Sequence, residues 1–205
     1  MNAAVRTLAL PVAAMAAVVA ASNVLVQHPV AALGLADYLT WGAFTYPLAF
    51  FVTDLTNRRF GPAAARRVVL AGFAIAVVAS IVLANPRIAL ASGTAFLAAQ
   101  LLDVAIFDRL RRDAWWRAPL ASSLIGSGVD TVLFFSLAFA GAFAGLGYAD
   151  DFALEAVPFF GFGTEAPRWM SWAVADFLVK IALALAMLAP FRAAIALVRP
   201  VEVAG

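Results

Sequence analysis

The sequence predicts an all-α integral membrane protein with six transmembrane helices and both termini cytoplasmic. Three observations predict it. Of the 205 residues, 65% are hydrophobic and 13% are charged, where a soluble domain carries about 25% charged residues, and the mean hydropathy is +0.96. Apolar runs close to or beyond the ~20 residues that cross a bilayer recur along the chain. Arginines crowd into alternate connecting segments and are sparse in the others, the pattern that orients multi-pass proteins. The expected organisation is one transmembrane domain, 1–205, in a lipid bilayer.

The first run, 8–26, follows Arg6 and contains Ala-Ala-Ser, which imitates a secretory signal peptide. It continues to Val26 and five more spans follow, so it is read as an uncleaved first helix. Ala13, Ala17 and Ala21, four apart, would let another helix approach closely. Asn23 and Gln27 put amides on one face near the outer end, either lining a cavity or sitting at the interface. The next segment, Gln27 to Thr40, holds no Lys or Arg. The second span, Trp41 to Gly61, contains Pro47, which cannot donate a backbone hydrogen bond and starts or kinks a helix. Near its inner end stand Thr53, Asp54, Asn57, Arg58 and Arg59. Asp54 either forms an ion pair with Arg58 at i+4 or faces a cavity as an acid.

The third span, about 67–83, lacks ionisable residues after Val68 and serves packing. After the turn at Asn85-Pro86-Arg87, span four runs from about Ile88 to Phe107 and span five from about Ala118 to Ala140. Between them lies a loop with Arg109, Arg111, Arg112 and Arg117 beside Trp115 and Trp116. Tryptophans there belong at headgroup level, so the loop is a membrane anchor and no nucleic acid is expected to bind. Gly141 to Trp169 is a long connection rich in Gly, Phe and acids. Span six, about Trp169 to Leu188, carries Asp176 and Lys180 at i, i+4, a spacing that suits an intrahelical ion pair. Arg192 and Arg199 follow. Eleven arginines thus fall on the side of the termini, against Arg87 and Arg168 on the other, which places both termini in the cytoplasm.

Composition and motifs also exclude chemistry. Without cysteine and with the single histidine His28, the chain has no disulfide, thiolate site or multi-histidine metal cluster. Metalloprotease, P-loop, serine-hydrolase and dinucleotide patterns are absent from the sequence. The reading is therefore no enzyme, no catalytic residue, no metal and no cofactor. What remains is a set of acids inside apolar spans: Asp103, Asp130, Asp176 and Asp54. Each costs roughly 2.5–3.5 kcal/mol at mid-membrane, so they point to a polar cavity between helices. Asp103 shares a helical face with Gln100, and Asp130 with Ser123 and Ser127. Because spans four and five are consecutive and antiparallel, Asp103 and Asp130 are expected to meet, with Gly126 and Gly128 keeping that wall low. This is the equipment of a substrate-binding and translocation site.

Three blocks carry a family resemblance: TYPLAFFVTDLTNRRFG (45–61), FLAAQLLDVAIFDRLRR (96–112) and SSLIGSGVDTVLFF (122–135). In order and spacing they resemble the signature segments of the queuosine precursor transporters, also called the vitamin uptake transporter family. Arg58 stands where that family has an acid, and Ser127 where it has Gln. The resemblance implies import of 7-deazaguanines such as preQ0 and preQ1 across the bacterial inner membrane. It also implies a fold similar to the substrate-binding subunits of energy-coupling-factor transporters. A guanine-like edge offers paired donors to a carboxylate, and a flat ring needs aromatic faces, for which Phe44, Tyr46 and Phe134 are candidates beside Asp54, Asn57, Gln100, Asp103, Ser127 and Asp130. Asp176 and Lys180 are either a structural pair or part of the site. Two alternatives stay open: a transporter of another small polar or cationic metabolite or vitamin, and a non-transporting membrane subunit. A homo-oligomer or a coupling subunit is compatible with either.

Overall fold

The computed structural model describes residues 3–83, 85–148 and 150–197, and these are almost entirely helical. Helix α1 (Ala3–Leu25) leads into a short 3-10 segment, Ala32–Asp37, closed at its base by a bridge between Pro29 and Thr40. Helices α2 (Gly42–Thr45) and α3 (Leu48–Phe60) follow, then α4 (Pro62–Leu83), α5 (Pro86–Leu110) and α6 (Arg117–Phe139). The connection after α6 holds a single turn, α7 (Asp151–Leu154), and a two-stranded antiparallel ribbon, β1 (Ala156–Pro158) with β2 (Glu165–Pro167). Helices α8 (Arg168–Ala186) and α9 (Leu188–Leu197) end the described chain. Arg199 lies outside it.

Five segments are long and apolar enough to cross a membrane: Leu8–Leu25, Pro62–Ser80, Pro86–Leu110, Arg117–Phe139 and Arg168–Ala196. The expected span Trp41–Gly61 is instead broken into α2 and α3. Pro47 has no N–H to continue the ladder, and Ala49 and Phe50 bond to the carbonyls three residues back, at Tyr46 and Pro47. The backbone stays right-handed through the break, so α2 and α3 follow one another as a tightened helix.

The helices alternate in direction. Thr53 meets Gln100 and Asn57 meets Val104, so α3 runs parallel to α5. Met15 opposes Gly72 and Asn23 meets Ser80, so α1 runs parallel to α4. The main apolar core lies among α1, α3, α4 and α5, around Met15, Val19, Val68, Val69 and Phe96. Helices α5 and α6 form the most extensive pair, drawn together at Gly126, where a Cβ would stand 2.8 Å from Phe50 and 3.4 Å from the Ala99 carbonyl oxygen. Gly126 therefore serves close packing, and Gly128 faces Phe177 of α8, so neither lowers a cavity wall as expected. Ala13, Ala17 and Ala21 are exposed, because α1 packs through the face of Met15, Val19 and Ser22.

Arg87 closes the α5–α6 pair at one end. It is buried and donates from Nε to Leu137 O (2.9 Å) and from Nη2 to Ala140 O (2.7 Å). A third bond reaches Tyr148 O at 3.3 Å. The last carbonyls of a helix have no intrahelical partner, and a guanidinium supplies donors and the favoured charge.

Candidate functional site

A cavity of about 550 Å3 opens at the end of the bundle where α1, α4 and α6 finish and α5 and α8 begin. Its volume is that of a small-molecule site. At its floor α6 presents Asp130 and Thr131, and α8 presents Asp176 and Lys180. The Lys180 Nζ donates to Asp130 Oδ2 (2.7 Å), Thr131 Oγ1 (3.0 Å) and Asp176 Oδ2 (2.5 Å). Thr131 Oγ1 in turn donates to Asp176 Oδ2 at 2.9 Å. The lysine side chain is 4% exposed and the two acids 12% and 14%, so the acids reach the cavity while the ammonium is held beneath them. Counted as ionised, two carboxylates and one ammonium leave one negative charge in excess.

The walls are aromatic and amide-bearing. Tyr46, Phe134, Phe135, Phe139 and Trp172 line the cavity, with Asn23, Gln27 and Asn85 around its upper part. The phenylalanines stack edge to face: Phe134 on Phe135 at 5.1 Å and on Phe139 at 6.1 Å between centroids. Trp172 caps the row, 5.5 Å from Phe139, and is fixed by its indole N–H donating to Asp37 O at 2.7 Å. At the mouth, Arg168 lies over the Phe152 ring at 4.0 Å and pairs with Glu155.

Below the floor, on the other side of Lys180, is a separate pocket of about 20 Å3. It is lined by Asp54, Ser123 and Ser127 toward the middle of the bundle, and by Pro119, Met187 and Phe191 toward the opposite end. Lys180 borders both spaces.

The structure divides the expected residues into two groups. Asp130, Tyr46, Phe134, Asp176 and Lys180 share the large cavity. Asp176 and Lys180 are paired across one helical turn, but the pair is a triad with Asp130. Asp103 and Asp130 do not meet: Asp130 looks toward α8, while Asp103 is fully buried and faces Asp54 across the α3–α5 contact. Gln100 is also withdrawn from the cavity, accepting from Thr53 Oγ1 at 2.6 Å. Asn57 donates to Val104 O at 3.0 Å in the same helix contact. Asp54 forms no ion pair with Arg58; it accepts from Ser122 Oγ at 3.3 Å, and Arg58 donates to Arg111 O. Ser127 lines the small pocket. Phe44 packs with Val30, Leu39, Ala43 and Ala175 outside the cavity. Asn23 and Gln27 are cavity residues. Sequence reasoning missed Trp172, Arg168 and Phe139, which come from the loop-proximal ends of helices, where an aromatic or arginine reads as an interface anchor.

An aromatic, amide-lined cavity over a charged floor, set in a bundle of apolar helices, defines a multi-pass membrane protein built to hold a small polar solute. The sequence profile of the vitamin uptake transporter family matches residues 40–85 and 78–195. This chain belongs to that family. It is 35% identical over 194 residues to the "Queuosine precursor transporter" of Escherichia coli (strain K12), covering 84% of this chain and 79% of that one. It is 33% identical over 204 residues to the "Probable queuosine precursor transporter" of Haemophilus influenzae, with the same coverage of each chain, 84% and 79%. The "Probable queuosine precursor transporter" of Bacillus subtilis is 25% identical over 174 residues, 71% of this chain and 67% of that one. No solved structure gives a significant match to the chain. The protein is accordingly a multi-pass transporter of the inner membrane.

Proposed function

We propose that the protein imports 7-deazaguanine precursors of queuosine, and that the large cavity is where they bind. The observation that carries this reading is the floor: two acids held by one lysine, beneath a row of aromatic rings. Both ion pairs and the Thr131 bond engage Oδ2 of the acids, which leaves Oδ1 of each for adjacent N–H donors of a guanine-like edge. The excess negative charge suits a cationic aminomethyl substituent, and the phenylalanines offer faces for a flat ring. The names of the relatives point the same way. The same floor would also accept another aromatic cation, which is the competing reading.

Orientation belongs to this proposal. The cavity mouth lies at the arginine-poor end of the bundle, and Arg58, Arg59, Arg66, Arg67 and Arg109 to Arg117 lie at the other. By the positive-inside rule the cavity opens outward. With α2 and α3 taken as one crossing of about 28 Å at ~1.5 Å per residue, the bundle has six spans and cytoplasmic termini.

The test is uptake of labelled precursor by cells lacking their own transporter, with binding to the purified protein alongside. Losing a hydrogen bond to a charged group or a stacking face is worth about 1–3 kcal/mol each. Asp130→Asn and Phe134→Leu should each weaken binding roughly ten- to a hundredfold, and Asp151→Asn, exposed on α7, should leave it unchanged. Wild-type binding of a simple aromatic amine but not of a deazaguanine would overturn the reading in favour of its competitor.

A further inference from the structure

Asp103 is a buried acid whose burial the cavity does not account for. It is 0% exposed, and neither carboxylate oxygen receives a hydrogen bond among the described residues. Its carboxyl group faces that of Asp54, itself buried and holding one bond, from Ser122 Oγ. Beside them the Asn57 Oδ1, also fully buried, has no partner among the described residues. Acceptors thus outnumber donors at the junction of α3, α5 and α6, where the hydroxyls of Ser122 and Ser123 are at hand.

Among the described residues no positive charge is paired with this site. On α3, Arg58 spends its guanidinium on Arg111 O. On α4, Arg66 and Arg67 are exposed. On α9, Arg192 lies over Trp115 at 4.7 Å. From α6 come only Ser122 and Ser123, and from α5 Asp103 itself. Lys180 of α8 borders the same small pocket as Asp54 but is bonded to Asp130 and Asp176. Two touching carboxylates away from water repel strongly unless one of them holds a hydrogen. A metal ion would need several oxygens around an open space, whereas these two groups face each other directly.

We infer that Asp54 and Asp103 form a proton-carrying pair that couples import to a proton gradient, reached through the small pocket beneath Lys180. One carboxyl group binds H+ and, as COOH, donates to the other carboxylate, supplying the missing bond; release returns both to carboxylates. The pocket beside Asp54, at about 20 Å3, has room for a single water. Ser123, Ser127 and Lys180 line it, so polar side chains mark a path between the substrate floor and the pair. A ligand that draws Asp130 or Asp176 away from Lys180 changes the charge at the head of that path, and this links the two sites. The coupling rests on the transport reading; the shared proton does not.

Two measurements separate those parts. Infrared spectra of the purified full-length protein should contain a buried protonated-carboxyl stretch that disappears in both Asp54→Asn and Asp103→Asn. A wild-type spectrum without that stretch overturns the shared proton. In proteoliposomes, an inward gradient of one pH unit supports about tenfold accumulation of labelled 7-deazaguanine per proton moved. Asp103→Asn should bind precursor as wild type does yet lose the gradient-driven accumulation, equilibrating only. Accumulation driven by a Na+ gradient at constant pH, or a gradient response retained in Asp103→Asn, overturns the coupling. Precursor bound and equilibrated by wild type without any gradient response sinks the coupling alone. Absence of both binding and uptake sinks the transport reading and leaves the infrared result standing.

Discussion

A single ammonium group, that of Lys180, holds two acids from two helices, and that arithmetic sets what substitution does. Lys180→Met strands two buried carboxylates, where breaking even one buried pair costs about 3–5 kcal/mol. The melting temperature of the detergent-solubilised protein should fall sharply. Combining it with Asp130→Asn and Asp176→Asn should recover most of the loss, because no uncompensated charge remains. A triple variant no more stable than Lys180→Met would show that the residues are not coupled. The i, i+4 spacing makes Asp176 and Lys180 legible as a pair in the sequence. Asp130 is not legible as their partner, since periodicity assigns it a helical face but cannot say which helix that face meets. The same gap separates Asp103 from its actual neighbours: its face with Gln100 is read correctly, but it meets Asp54 of α3 and Ser122 of α6 and not Asp130.

Helices meet where glycine lets them, and the two glycines of α6 separate by what they touch. At Gly126 a Cβ would press on the Phe50 ring at 2.8 Å, with backbone behind it at 3.4 Å, whereas at Gly128 the nearest atom is 3.7 Å away. Gly126→Ala should therefore destabilise by about 1–3 kcal/mol, the usual cost of overpacking, and Gly128→Ala should be tolerated. Thermal unfolding of the two variants side by side checks this, and equal melting temperatures would remove the packing argument. The long apolar helices are legible in hydropathy because the bilayer demands them. The division of the second span is legible only as the proline that causes it. The ribbon β1–β2 and the break between α8 and α9 carry no such signal, since three-residue strands and one tightened turn fall below any periodicity.

Across the whole molecule, charge and cavity are arranged end to end. Apart from Arg87 and Arg168, the described arginines gather at the end opposite the cavity mouth, an asymmetry read from the sequence before any helix is placed. Reporter fusions after Arg112 and at the C-terminus should read cytoplasmic, and one at Asp151 periplasmic. A cytoplasmic Asp151 would invert the cavity and require export in place of import. What the sequence cannot convey is that the acids fall into two layers, a charged floor open to the cavity and a closed pair beneath it. That separation depends on the relative rotation of α3, α5, α6 and α8, which only packing fixes.

Arg87 adds a constraint in time. Its three carbonyl partners lie 50 to 61 residues further along the chain, so a ribosome delivers the guanidinium long before anything exists to receive it. Until α6 has crossed, α5 carries a bare cation at its leading end, and the hairpin cannot lock. Biogenesis of this half of the bundle thus waits on a late segment, and nascent chains truncated before Leu137 should leave Arg87 reachable by a water-borne arginine reagent. Chains extended beyond Tyr148 should protect it. Equal labelling of the two would show that the clasp forms without its carbonyls.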